Sequence, residues 1–123
     1  MDPEWNDREP IYRQLRDRVV AMILDGLLDE GDPLPSVRAL ATETRVNPLT
    51  VLKAYQQLTD EELVEKRRGL GIFVRPGARQ ALLREERRRF QDEQWPQIVE
   101  TIERLGLTEE LLGRALPQRR REG

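Results

Sequence analysis

The stretch from residue 34 to residue 74 decides the fold of this chain. In order it contains LPSVRALA (34–41), VNPLTVLKAY (46–55) and LVEKRRGLGIFV (63–74). The first two segments each place a helix-capping residue, Ser36 or Asn47, ahead of apolar residues at helical spacing. The third sets two short apolar runs on either side of a basic turn with two glycines, which predicts a β-hairpin. Two capped helices and a hairpin are the layout of a winged helix-turn-helix.

Helical patterns flank this stretch on both sides. Apolar residues from Ile11 to Ile23 recur at helical spacing, and a loop follows through Pro33. After the hairpin a helical pattern runs to about Gln94, where Pro96 should break or kink it, and continues to Gly106 before a last short helix. We therefore expect a mainly α protein. The expected parts are a winged helix-turn-helix DNA-binding domain at 1–77, a short α-helical dimerisation domain at 78–116 and a disordered tail at 117–123.

The composition restricts the chemistry. The 123 residues include no histidine and no cysteine, so the usual general base and the thiolate ligands for a metal are both absent. We therefore expect no catalytic residues, no metal and no cofactor. No run of residues is long and apolar enough to span a membrane, and no signal peptide precedes the domain, which predicts a cytoplasmic protein.

The net charge of −2 is unevenly distributed along the chain. Residues 1–33 carry nine acidic and four basic side chains, whereas residues 34–77 carry five acidic and seven basic ones. Because the local potential governs DNA binding more than the total charge does, the mildly basic 34–77 segment is compatible with double-stranded DNA as a partner.

The residues expected to contact DNA lie at the starts of the two helices and at the hairpin turn. They are Ser36, Arg38, Asn47, Pro48, Leu49, Thr50, Lys53, Arg67, Arg68 and Gly69. Helix starts offer free N–H groups to phosphate, and arginines at a sharp turn favour phosphate or the minor groove. Simpler roles remain open: Arg38 could pair with Glu43 on the surface, Lys53 could be solvated, and the arginines could form an ordinary polar turn.

The residues expected at a dimer interface are the large apolar ones after the hairpin. They are Leu82, Leu83, Phe90, Trp95, Ile98, Ile102, Leu105, Leu111 and Leu112. A segment of about 40 residues is too small to bury them alone, which indicates either a second copy of the chain or packing back on the DNA-binding domain. A ligand-binding role for Phe90 and Trp95 is the alternative. Arg119–Arg121 are expected to be disordered, with weak phosphate binding as the alternative.

Several motifs together resemble the DNA-binding domain of GntR-type bacterial transcription regulators. They are Pro10-Ile11-Tyr12, Leu34-Pro35-Ser36-Val37-Arg38, Val46-Asn47-Pro48, Ala54-Tyr55, Leu63-Val64-Glu65 and Arg67-Arg68-Gly69. The Val-Asn-Pro turn and the short C-terminal segment are similar to the YtrA subfamily. That resemblance implies base or phosphate contact by Arg38, and repression of genes beside transporter operons. Leu49 and Leu52 depart from the polar residues usual there, and contact with a thymine methyl is one role open to Leu49.

The function expected from these observations is that of a homodimeric repressor that binds an inverted-repeat operator. Two other classes of function are alternatives to it. A winged-helix module that binds proteins but not DNA is the first alternative, and it would lack salt-dependent affinity for duplex DNA. An enzyme is the second, and the residue types above disfavour it. The sequence identifies no small-molecule effector.

Overall fold

The computed structural model describes residues 5–115, except for the side chains of Leu112, Arg114 and Ala115. The predicted tail at 117–123, with Arg119–Arg121, lies outside the described residues, as does the side chain of Leu112. The elements in order are α1 Ile11–Leu24, α2 Val37–Thr44, α3 Pro48–Asp60, β1 Val64–Arg67, β2 Gly71–Val74, α4 Ala78–Arg89, a π-helical turn Phe90–Gln94, α5 Trp95–Arg104 and α6 Thr108–Ala115. The predicted mainly α fold with a β-hairpin wing is confirmed.

The chain forms two compact units, with the boundary between Leu83 and Arg84. One hydrophobic core holds the first unit together. Its fully buried side chains come from four elements of that unit and are led by Leu15, Ile23, Val51, Tyr55, Leu58, Val64 and Val74. The core extends into the start of α4, where Ala78 and Leu82 are buried, so the first unit continues past the end of the hairpin.

An ion pair links α1 to the end of α3 in the first unit. The guanidinium of Arg16 donates hydrogen bonds to the Glu61 carboxylate and to Asp17. Burial opposes the charge on Arg16, but the hydrogen bonds that it donates to Glu61 and Asp17 outweigh burial and raise the pKa of the guanidinium. This pair fixes the position of α1 against α3 alongside the apolar contacts of the core.

The wing is an antiparallel hairpin that the preceding loop extends. Strand β1 pairs with β2 in a register that sets Val64 opposite Val74 and Arg67 opposite Gly71. The segment expected to be a plain loop before α2 also pairs with β2, because the amide of Leu34 donates to the Ile72 carbonyl at 2.8 Å. The segment through Pro33 is a loop, as expected, with one isolated bridge from Pro33 to Phe73. Strand β2 therefore has backbone partners on both sides, which stiffens the wing.

The helix after the wing is widened but not broken near Pro96. The amide of Trp95 donates to the carbonyl of Phe90, five residues earlier, which is the hydrogen bond of a π-helical turn. Pro96 follows at the start of α5. Because a proline has no N–H and crowds the carbonyl four residues before it, a wider turn accommodates it without ending the helix.

The end of α3 generates a prediction about stability. Glu62 has a φ of 62°, a left-handed conformation that costs a residue with a Cβ about 1–2 kcal/mol. Glu62→Gly should raise the free energy of unfolding by about 0.5–1 kcal/mol, after allowance for the greater entropy of glycine in the unfolded chain. Thermal unfolding measures the change, and Glu62→Ala, which keeps the Cβ, is the matched control. An equal gain in both variants would mean that the removed charge, and not the backbone, is responsible.

Candidate nucleic-acid interface

The starts of α2 and α3 are capped and exposed. The Ser36 hydroxyl accepts a hydrogen bond from the Ala39 amide at 3.0 Å, and the Asn47 side-chain oxygen accepts one from the Leu49 amide at 2.8 Å. Pro48 is the first residue of α3 and is also exposed, whereas Thr50 is half-buried. The structure thus places the predicted caps as expected. Helix starts of this kind bind anions because their first N–H groups have no partner within the helix.

Helix α3 has a fully buried face and a fully exposed one. The buried residues are Val51, Ala54, Tyr55 and Leu58, each no more than 1% exposed. The exposed residues on the opposite side are Leu49, Leu52, Lys53, Gln56 and Asp60. Because the inner face is anchored in the core, the outer face is held in one orientation and is available to a ligand.

Tyr55 connects α3 to the segment that precedes α2. Its hydroxyl donates to the backbone carbonyl of Pro35 at 2.7 Å. Burial raises the pKa of this phenol, so the hydroxyl stays protonated and keeps donating. Tyr55 therefore helps to position the two helix starts from inside the core, where it is 1% exposed.

Arg38 projects from the first turn of α2 into solvent. It forms no ion pair or hydrogen bond with any residue in the part of the chain that the structure describes, so the pair with Glu43 that the sequence left open does not form there. An unpaired guanidinium beside a helix start carries its full charge toward a phosphate or a base edge.

The turn of the wing presents Arg68 and Gly69. The Leu70 amide donates to the Arg67 carbonyl at 2.8 Å, which closes a four-residue turn. Gly69 occupies its third position with a φ of 77°, a conformation that a type II turn requires and that glycine adopts without strain. Arg68, at the second position, is exposed and has no partner among residues 5–115.

Arg67 differs from Arg68 because its charge is already engaged. Its guanidinium lies over the ring of Phe73, 4.2 Å from the ring centroid, and donates to the Glu65 carboxylate at 3.1 Å. The hairpin register explains this contact, since Arg67 faces Gly71, which has no side chain, and Phe73 is the diagonal neighbour on the same face. The sequence predicted the same role for both arginines. The pairing of Arg67 with Gly71 across the hairpin is the signal that could have distinguished them, because it places Arg67 on a strand and Arg68 in the turn.

Lys53 likewise makes a contact within the first unit. Its ammonium nitrogen lies 4.3 Å from the centroid of the Tyr12 ring on α1. This cation–π contact holds the lysine at the exposed surface of α3. The sequence did not reveal it, because Tyr12 and Lys53 meet only after α1 packs on α3.

The second unit exposes an apolar stripe. The ring centroids of Phe90 and Trp95 are 6.1 Å apart, and Ile98 and Leu105 are exposed along α5. Ile102, half-buried, lines an open groove of about 360 Å³ together with Ile98. None of the described residues of α5 is buried.

The other residues expected at a dimer interface have different surroundings. Leu82 is only 8% exposed and belongs to the core of the first unit, so it offers little surface to a second chain. Leu83 and Leu111 are half-buried.

Within residues 5–115 no group of three or more acidic side chains is placed to hold a metal ion. No helix in that range is long and apolar enough to cross a membrane.

Comparison with known proteins connects this geometry to a family. A family model described as bacterial regulatory proteins, gntR family, matches residues 11–74, more than half of the chain. The HTH-type transcriptional regulator YhcF of Bacillus subtilis (strain 168) is 34% identical over 110 residues, which cover 89% of this chain and 89% of YhcF. The likeness to YhcF therefore extends beyond the residues that the family model matches.

Two further similarities are informative. The HTH-type transcriptional repressor YtrA of Bacillus subtilis (strain 168) is 42% identical over 74 residues, or 60% of this chain and 57% of YtrA. The crystal structure of a transcriptional regulator from Oenococcus oeni matches with a TM-score of 0.73 at 27% identity, over 90% of this chain and 98% of that chain.

The different surroundings of Arg67 and Arg68 generate a prediction. Arg68→Ala should reduce the slope of log affinity for duplex DNA against log salt by about 0.9, the value of one lost phosphate contact, and leave thermal unfolding unchanged. Arg67→Ala should lower the free energy of unfolding by about 1 kcal/mol, because it removes the contact with Phe73 and the pair with Glu65. Its effect on the salt slope should be smaller. Salt titrations and melting curves of both variants measure these effects, and a reversed pattern would contradict the assignment.

Proposed function

The chain belongs to the gntR family of bacterial regulatory proteins, and we propose that it acts as a homodimeric repressor at an inverted-repeat operator. Membership of this family makes it a DNA-binding transcriptional regulator similar to YtrA and not an enzyme. It also decides against a winged-helix module without DNA binding. The exposed apolar stripe of the second unit is the observation that carries the proposal of a homodimer.

The proposed DNA contacts fall into three groups. Arg38 and Arg68 have no partner within residues 5–115 and are the proposed charged contacts. The exposed helix starts at Ser36 and at Asn47-Pro48 would bind phosphate through their N–H groups and caps. The remaining proposed contacts are Leu49, Thr50, Lys53 and Gly69, which lie along α3 and at the wing turn.

Arg67 has a supporting role in this proposal. Its contacts with Phe73 and Glu65 hold the strand that carries Arg68, and its charge is partly compensated by the carboxylate. We therefore assign the phosphate contact of the wing to Arg68. Arg67 fixes the direction in which the turn projects.

The second unit supports dimerisation through its composition and periodicity. Trp95, Ile98 and Ile102 recur at intervals of three and four residues, so they share one face of α5, and Leu105 continues the spacing directly after the helix. Exposed apolar surface of this kind is stabilised by burial against another chain, at about 25 cal/mol per Å². A two-fold axis through this face would bring two copies of one surface together and set two DNA-binding units for an inverted repeat.

We also propose that the protein acts in the cytoplasm on genes beside a transporter operon. A regulator of bacterial genes acts on the chromosome, which supports a cytoplasmic location. The YtrA-type resemblance supports repression of genes beside a transporter operon, and the printed description of the YtrA relative as a repressor agrees with repression. Affinity for duplex fragments of the neighbouring DNA tests this target directly.

Arg38 provides the first test of the proposed contacts. Arg38→Ala should weaken binding to a duplex selected by the protein from a random pool by about 1–3 kcal/mol, the range for a good bidentate base contact. Its thermal unfolding should stay unchanged, because no described residue bonds to this side chain. Arg84→Ala, which removes the same charge from the second unit, is the control. Equal affinities of Arg38→Ala and the native protein in an anisotropy titration would contradict the contact.

Ile98 tests the proposed dimer. Ile98→Glu places a charge on the apolar stripe and should yield a monomer in analytical ultracentrifugation at micromolar concentration, where the native chain sediments as a dimer. The monomer should bind an inverted repeat about a hundredfold or more weakly than the dimer, and a single half-site equally well. Half-site centres should lie about 34–36 Å apart, or a multiple of that.

The control for this experiment is Glu100→Gln, which also changes the net charge by one unit but lies on the opposite face of α5. It should remain dimeric. A native chain that sediments as a monomer, or an Ile98→Glu variant that stays dimeric, would refute the proposed interface.

A further inference from the structure

Two leucines dominate the exposed face of α3. Leu49 is 72% exposed and Leu52 is 51% exposed, although both lie on the helix that a winged helix-turn-helix inserts into DNA. They are three residues apart, which sets their Cβ atoms about 5–6 Å from each other on one side of the helix. Among the described residues of the first unit, most of the surface of this pair of apolar side chains is left uncovered.

The polar residues on the same face are engaged within the chain. The Gln56 amide donates to the Asp60 carboxylate at 3.0 Å, and the Lys53 ammonium lies over the Tyr12 ring. Asp60 also places a negative charge at the C-terminal end of the face, which phosphates would avoid. The N-terminal half of α3, with its two leucines, is therefore the part suited to enter a groove.

The major groove offers one apolar group to such side chains. Every base edge there presents hydrogen-bond donors or acceptors, and only thymine adds a methyl group. A leucine pressed against a polar base edge would remove that edge from water without replacing its hydrogen bonds, which is costly. A leucine against a thymine methyl loses no hydrogen bond and buries apolar surface on both sides.

We propose that Leu49 and Leu52 together select thymines in the operator by packing on their 5-methyl groups. The inference rests on the proposed insertion of α3 into the major groove. Successive bases on a strand are about 3.4 Å apart along the axis, so two leucines 5–6 Å apart reach methyl groups on neighbouring base pairs. The unpaired Arg38 and Arg68 of the same unit favour this polyanionic partner over an apolar protein surface.

Uracil provides the test, because it keeps every hydrogen-bonding group of thymine and lacks only the methyl. A duplex is first selected from a random pool with the full-length protein, and each thymine of one half-site is then replaced by uracil in turn. At one or two neighbouring positions the replacement should weaken binding about fourfold each, the value of about 0.8 kcal/mol for one buried CH₂-sized group. Anisotropy titrations give the affinities.

The variants Leu49→Ala and Leu52→Ala assign the effect to individual residues. Each should bind the thymine duplex less tightly and lose most of the uracil penalty at one position, since the partner of that methyl is gone. Both sites are exposed and helical, so alanine should not disturb folding. Leu27→Ala, which truncates a leucine that is 70% exposed outside the helices, is the matched control and should keep the whole penalty.

The possible outcomes separate this inference from the proposed function. Sequence-specific binding with no uracil penalty at any position would overturn methyl selection and leave the repressor proposal intact. A penalty that persists unchanged in both leucine variants would also overturn it, because another group would then contact the methyl. Failure to select any duplex would instead refute the proposed operator binding itself.

Discussion

The hydrogen bond from the Tyr55 hydroxyl to the Pro35 carbonyl joins the parts of the DNA-binding unit that must act together. Tyr55 belongs to α3, whose inner face is buried, and Pro35 immediately precedes the cap of α2. The preceding residue, Leu34, donates its amide hydrogen to the Ile72 carbonyl of the wing. Residues 34–36 therefore connect α2, α3 and the wing. Loss of this hydrogen bond would leave the buried Tyr55 hydroxyl without a partner, at a cost of about 1–3 kcal/mol. Small displacements of α3 relative to the segment before α2 are therefore disfavoured.

The chain as a whole carries a net charge of −2, so a positive potential for DNA can arise only in local regions of its surface. Several basic side chains have an acidic partner beside them that offsets their charge. Arg16 pairs with Glu61, and Arg67 pairs with Glu65. Arg38 beside the start of α2 and Arg68 at the wing turn have no partner among the described residues, which concentrates positive potential at these two places. An acidic total charge also suppresses non-specific attraction to DNA, which suits a regulator that must distinguish one site from many.

The π-helical turn at Phe90–Gln94 shapes the apolar surface of the second unit. The π-helical turn inserts one extra residue, so Phe90 and Trp95, five positions apart, come within ring contact instead of diverging around the helix. The stripe that begins with these rings continues along α5 through Ile98 to Leu105. Without the extra residue the aromatic pair would lie off the apolar face. Pro96 thus sets the register of the proposed interface by altering the backbone next to it.

The helices and the hairpin of the first unit could be predicted from the sequence, because their signals are local. Ser36 and Asn47 cap the next turn of their own helices, and Gly69 supplies a backbone conformation that other residues resist. Packing between the elements sets which side chains remain exposed to a partner, and this could not be predicted from the sequence. Leu82 carries the same helical pattern as its neighbours, yet it packs into the core of the first unit. The contact that engages Lys53 spans two helices that only packing brings together, and such pairings of distant residues leave no periodic trace in a sequence.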